Sequence, residues 1–141
     1  MPGLFLVRGA VPGGLEPTIS SPLVCLVLEG GKQVPLDNRQ ATFVAGDTMI
    51  VPAAMPTVSR IHRASAGKPY LAFALDLQPA LIAELDVAIG DAGTAPRETS
   101  EELDNQLLGA VLRLVRLLER PGSLAVLGEA LVREIHYWLL L

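Results

Sequence analysis

The feature that most constrains this chain is a change of period at Pro79. Upstream, residues 1–78 are broken every few positions by Gly, Pro, Asp or Asn, with short apolar or alternating runs between the breaks. That is the pattern of an all-β barrel or sandwich. "PLVCLVL" is apolar on both faces, as in a strand covered on both sides. "KQVPLDNRQATFV" reads as a hairpin, with Asp37-Asn38 able to take the left-handed conformations of a two-residue turn. Pro35 cannot donate to a ladder, so its strand is expected at an edge or at a bulge. "AGDTMIVPAAMPTVSRI" supplies a Gly-Asp corner and two more strands. "YLAFALDL" alternates Leu71, Phe73 and Leu75 with Ala72 and Ala74, which places a bulky face opposite a small one.

Downstream the period is helical. Pro79 can start a short helix over 79–89 that stops at Gly90. Thr99 and Glu102 have the spacing of a capping box, opening a helix over 100–119. Arg120-Pro121-Gly122 ends it, and Ser123 can cap a last helix over 124–141. The expected arrangement is an antiparallel helical hairpin, residues 79–141, packed on the barrel. The helix over 100–119 carries more apolar residues than one stripe can hold. Leu107, Val111, Leu114, Leu118, Leu131 and Trp138 are therefore candidates for an interface with a second copy, packing within the chain being the other reading. The sequence ends in "EIHYWLLL", in mid-helix with no glycine stop, which predicts that a parent chain continues past Leu141.

Composition narrows the function classes. Of 141 residues, 50% are hydrophobic and 18% charged, against about 25% charged in an average domain. So little charge points to apolar surface buried against a partner, a homodimer being expected. A net charge of −4 argues against the chain gripping nucleic acid by itself. The small basic groups, Arg60-His62-Arg63 and Arg113-Arg116-Arg120, are read as solvated faces. No run is long enough for a membrane span, and no basic n-region precedes an apolar stretch at the start. With the single Cys25 in an apolar strand, a buried, unreactive thiol in a reduced, cytoplasmic protein is expected.

A search for catalytic chemistry finds little. The two histidines, His62 and His136, are far apart and stand in none of the paired spacings that bind zinc or iron. No serine lies in G-x-S-x-G. The glycines of "GGLEP" and "LEGGK" lack phosphate-loop spacing and read as turns. Glu101 and Glu102 suit the start of a helix. The expectation is no metal, no cofactor and no enzyme.

The blocks "PLVCLVLEGGKQV", "FVAGDTMIVPAAMP", "KPYLAFALDLQPALIAEL", "LDNQLLGAVLRLVRLLERP" and "LGEALVREIHYWLL", taken together in this order, resemble the N-terminal domain of AraC-type transcriptional regulators. The resemblance covers nearly the whole chain and implies an α+β fold. A cupin-like barrel (a double-stranded β-helix) over 1–78 would be followed by the helical region. It also implies a sensor and dimerisation unit that binds a small-molecule effector in a metal-free barrel. DNA would be reached only through a C-terminal helix-turn-helix domain expected after residue 141. The ligand candidates are barrel residues of mixed character: Cys25, Phe43, Met49, Val51, His62, Tyr70 and Phe73, with His62 and Tyr70 favoured because a polar group in an apolar interior orients a ligand. Two alternatives stay open: a free-standing cupin-type enzyme, which one bound metal per chain would favour, and a structural dimerisation module with no ligand.

Overall fold

A computed structural model describes residues 3–13, 16–20, 22–36, 38–51, 55–65, 67–92 and 100–141. The chain divides into two compact units, Met1–Leu77 and Gln78–Leu141. Among its described residues the first holds eight strands: β1 (Leu4–Gly9), β2 (Glu16–Ser20), β3 (Leu23–Glu29), β4 (Gly31–Leu36), β5 (Arg39–Val44), β6 (Thr48–Val51), β7 (Met55–Arg63) and β8 (Tyr70–Asp76). They form two four-stranded antiparallel sheets, ordered β1-β8-β3-β6 and β2-β7-β4-β5. The described ladders do not close into the single ring expected of a barrel. Each sheet keeps two free edges, β1 and β6 in one, β2 and β5 in the other.

The centre of the first sheet is the β3–β8 pair. Its register sets Val24 opposite Leu75, Cys25 opposite Ala74, Leu26 opposite Phe73 and Val27 opposite Ala72. Side chains alternate along a strand, so Cys25, Val27, Tyr70, Ala72 and Ala74 share one face, and Val24, Leu26, Phe73 and Leu75 share the other. All nine are buried. This is the two-sided burial that the apolar run "PLVCLVL" predicts.

Two corners fix the register. Gly46 takes φ +94°, a left-handed conformation that glycine adopts without strain. Its N–H donates to Val27 O at 2.8 Å, and Val27 N–H donates to Asp47 O at 3.0 Å. The Asp47 carboxylate accepts from Val44 N–H at 2.9 Å. The Gly-Asp corner thus ties the β5–β6 turn to the point where β3 bulges between Val27 and Glu29. The β4–β5 hairpin pairs Leu36 with Arg39, leaving two residues for its turn. Asn38 is one of them, and Asp37 lies outside the described residues. Pro35 pairs with Gln40 of β5, beyond the Gly31–Gln33 stretch where β4 pairs with β7, so its missing donor breaks no second ladder.

The second unit holds α1 (Pro79–Ala92), α2 (Ser100–Leu117) and α3 (Pro121–Leu140). Helix α2 packs on α3, and α1 on α3. Three expectations about these helices need correcting. Helix α1 continues through Gly90 to Ala92, because an exposed glycine inside a helix costs only about 1 kcal/mol. Helix α2 ends at Leu117 rather than residue 119, and residues 118–120 close it with tight bonds to Val115, Arg116 and Leu117. Helix α3 begins at Pro121, with Arg120 at its N-cap and no side-chain cap. Proline loses nothing at the first helical position, so the start falls there and Ser123 sits inside the first turn. Thr99 of the proposed capping box lies outside the described residues.

Leu107, Ala110, Val111 and Leu114 are the fully buried positions of α2, spaced three and four apart as one stripe. On α3 the counterpart is Gly128, Val132, Ile135 and His136. The His136 ring is fully used. Its Nδ1 donates to Val132 O at 2.8 Å, and its Nε2 accepts the backbone N–H of Gln78 at 3.1 Å. That fixes the entrance of α1 against α3 and gives this buried histidine a structural task.

Phe73 is fully buried, whereas Phe5 on edge strand β1 is 52% exposed. Phe73→Ala is expected to lower unfolding free energy by about 3–5 kcal/mol, while Phe5→Ala changes it by about 0.5 kcal/mol or less. Urea denaturation of both variants checks the difference.

Candidate functional site

The β-unit carries a polar cluster inside an apolar face. Cys25, Val27, Tyr70 and Ala72 form a buried core group, against which Leu23, Met49, Phe43, Ile61 and Ala64 pack. The first two come from the Cys25 sheet, and Phe43 and Ile61 belong to β5 and β7 of the other sheet. Lys32 pairs with both Phe43 and Ile61 across its neighbouring strands, and so projects from the same face of its sheet. It is only 9% exposed, and its Nζ lies 3.4 Å from Cys25 Sγ. Tyr70 packs beside Cys25 in the same buried group. Burial holds the Tyr70 hydroxyl well above its ordinary titration range, and the adjacent Cys25 sulfur adds to the effect.

Two glycines make room for this arrangement. Gly30 has φ +78°, and a Cβ there would collide with the Arg63 carbonyl and come within 2.9 Å of Tyr70 Cα. At Gly31 a Cβ would stand 2.5 Å from His62 Cε1. The "EGGK" stretch is therefore a turn, as its glycines suggest, and also the element that delivers Lys32 to the interior. His62 falls at the irregularity where Gly31 pairs with Arg63 and Lys32 with Ile61. Its Nδ1 is buried with no hydrogen-bond partner among the described residues.

The predicted ligand residues separate into two groups. Cys25, Tyr70, Phe43 and Met49 meet in the buried core group, and Val51, opposite Leu23, lies on the same face of its sheet as Met49. His62 sits beside them against Gly31. Phe73 does not belong: it faces Leu26 on the opposite side of the sheet, because it is one residue out of phase with Ala72 and Ala74. Lys32 escaped sequence reasoning. A lysine after two glycines reads as an exposed turn residue, and only the register that sets it beside Phe43 and Ile61 turns it inward.

A concavity of about 370 Å³ lies between α1 and α3. Its floor is Leu85, Ala88, Ile89 and Ala130, and Arg133 and Glu134 stand on its rim. Both charged groups are already engaged. Arg133 pairs with Glu84 at 2.8 Å, and Glu134 accepts from Arg113 at 2.7 Å and from Trp138 Nε1 at 3.1 Å. Burial pulls the Glu134 carboxyl upward, but those bonds and the Arg113 charge outweigh it and leave it below its ordinary value. Tyr137 also lines this groove. Of the interface candidates, Leu107, Val111 and Leu114 are buried within the chain and have no surface to offer a second copy as they stand. Leu118, Leu131 and Trp138 are half-buried. Among the described residues no group of three or more His, Cys, Asp or Glu is placed to hold a metal ion, and no described helix is long and apolar enough to cross a membrane.

Comparison with known proteins adds the following. A family model described as "AraC-type transcriptional regulator N-terminus" matches residues 1–141. No curated protein is significantly similar in sequence. Similar solved structures include a protein of unknown function from Rhizobium leguminosarum bv. viciae 3841, at 21% identity and TM-score 0.42 over 53% of this chain and 69% of that one. Another is the cupin domain of an XRE-family transcriptional regulator from Enterobacter cloacae, at 21% identity and TM-score 0.39 over 54% of this chain and 80% of that one. A third is FeII HppE in complex with substrate, at 16% identity and TM-score 0.41 over 54% of this chain and 47% of that one.

The Tyr70 environment has a consequence for alkaline stability. Its folded pKa lies above the ordinary value of 10.0, so its contribution is intact below about pH 10 and is lost as pH rises from there toward the folded value. Tyr70→Phe is expected to flatten the fall in unfolding free energy above pH 10, which a series of urea titrations across that range measures.

Proposed function

This chain belongs to the AraC-type transcriptional regulator N-terminal family, and on that premise we infer that it is a regulator's sensing and dimerisation domain. The supporting observation is the Cys25–Lys32–Tyr70 cluster within an otherwise apolar face. A core serving stability alone has no use for a buried ammonium, since desolvating it costs several kcal/mol while a hydrogen bond to a thiol returns about 1. A ligand-sensing interior needs such groups, because they orient a small molecule inside an apolar wall.

The ligand acts by biasing a two-state assembly. An effector that binds one arrangement of two subunits more tightly than the other shifts their populations by that difference in affinity, and a DNA-binding domain joined to this one reads the shift. DNA contact belongs to that other domain, consistent with the net charge of −4 here. Dimerisation is supported by apolar side chains left in water on the helices: Val87 is 64% exposed, Val126 78% and Leu127 49%. Leu131 and Trp138, half-buried on α3, are the residues through which we place the contact.

Sedimentation equilibrium at micromolar concentration is the test. The expected species has twice the 14.9 kDa of one chain, and Leu131→Asp shifts it to the monomer with the helical circular dichroism unchanged. A wild-type chain that sediments as a monomer at all concentrations would remove dimerisation from the reading.

A further inference from the structure

We propose that the ligand of this domain is a small organic monocarboxylic acid, its carboxylate held by Lys32 Nζ and the Tyr70 hydroxyl and its apolar body lying among Val27, Phe43, Met49 and Ile61. The proposal deepens the sensing function inferred above and rests on it. Lys32 is buried with Cys25 Sγ as its hydrogen-bond partner, and it makes no ion pair among the described residues. Three other basic side chains of the chain differ in this. Arg60 is held by Gln33 Oε1 through both its Nε and its Nη2, and Arg113 and Arg133 each have a glutamate. Lys32 is the buried cation whose charge the described protein leaves unanswered.

The chemistry of the cluster selects the ligand. An ammonium carries three donors, and the thiol, a weak acceptor, occupies one of them. Tyr70 adds a neutral hydroxyl beside the same sulfur. One positive charge and one hydroxyl match a single carboxylate. A phosphate dianion takes arginine forks, several lysines or backbone N–H groups, whereas the groups placed at Cys25 here are one ammonium and one phenol. The surrounding walls are aliphatic and aromatic, so the rest of the molecule is apolar.

Two measurements test this. The first is stability: because Lys32 is an unanswered charge without ligand, Lys32→Met is expected to keep or raise the urea midpoint of the free protein. A marked fall would mean that a group of the protein itself already answers the charge, and would overturn the proposal. The second is calorimetric titration of the chain with straight-chain and aromatic monocarboxylates, each beside its primary amide as an uncharged match. At least one acid is expected to bind once per chain, its amide about tenfold to a hundredfold more weakly, and Lys32→Met to erase that difference. Amides binding as tightly as their acids would overturn the carboxylate and leave the sensing function standing. If neither acids nor amides bind, the proposal falls, and the sedimentation test still decides the dimer.

Discussion

The structure depends on one pairing, β3 with β8. These strands are the centre of their sheet, and both of their faces are buried. Burying nine side chains on two short strands is the main hydrophobic stabilisation in the β-unit. It also imposes a strict parity. A one-residue slip would move Cys25 and Tyr70 to the face of Leu26 and Phe73. The Gly46–Asp47 corner, bonded to both the N–H and the carbonyl of Val27, holds β3 against that slip.

On this fixed face the chain places groups that the fold alone does not require. Cys25 accepts from Lys32 Nζ and packs beside Tyr70, and the three sit among Val27, Ala72, Phe43 and Ile61. Each comes from a different strand, so the cluster exists only when three ladders are formed together. Gly30 and Gly31 permit the close approach that side chains would block. By contrast, the charged groups lining the concavity between α1 and α3, Arg133 and Glu134, are already paired with Glu84 and Arg113. Exposed or half-exposed pairs such as Arg113–Glu134 contribute about 0.2–1 kcal/mol each and serve to position helices.

Much of this was legible in the sequence. The switch of period at Pro79 marks where strands give way to helices, because alternation and the three-to-four spacing are the direct imprint of burial on one face. The two-sided strand at 22–28 followed from residue type alone. What escaped was whatever depends on register. Phe73 looks like a ligand residue until its parity with Tyr70 is known. Lys32 looks like a turn residue until its pairing with Phe43 and Ile61 is known. A closed barrel was implied by the family resemblance, but closing a sheet depends on ladders between non-neighbouring strands, which no local pattern encodes. Helix ends were misplaced where a proline start or a tolerated glycine outweighed the cap signals.

The central claim is that Cys25 lies sealed between two sheets with Lys32 and Tyr70 around it. The chain has one cysteine, so thiol labelling reads that site alone. With an aromatic disulfide reagent under native conditions, the account predicts that the thiol reacts only as fast as the β-unit opens, while in denaturant it reacts at once and stoichiometrically. Immediate stoichiometric reaction of the native protein would contradict it, because the thiol of a residue only 5% exposed between packed strands cannot be reached without opening them.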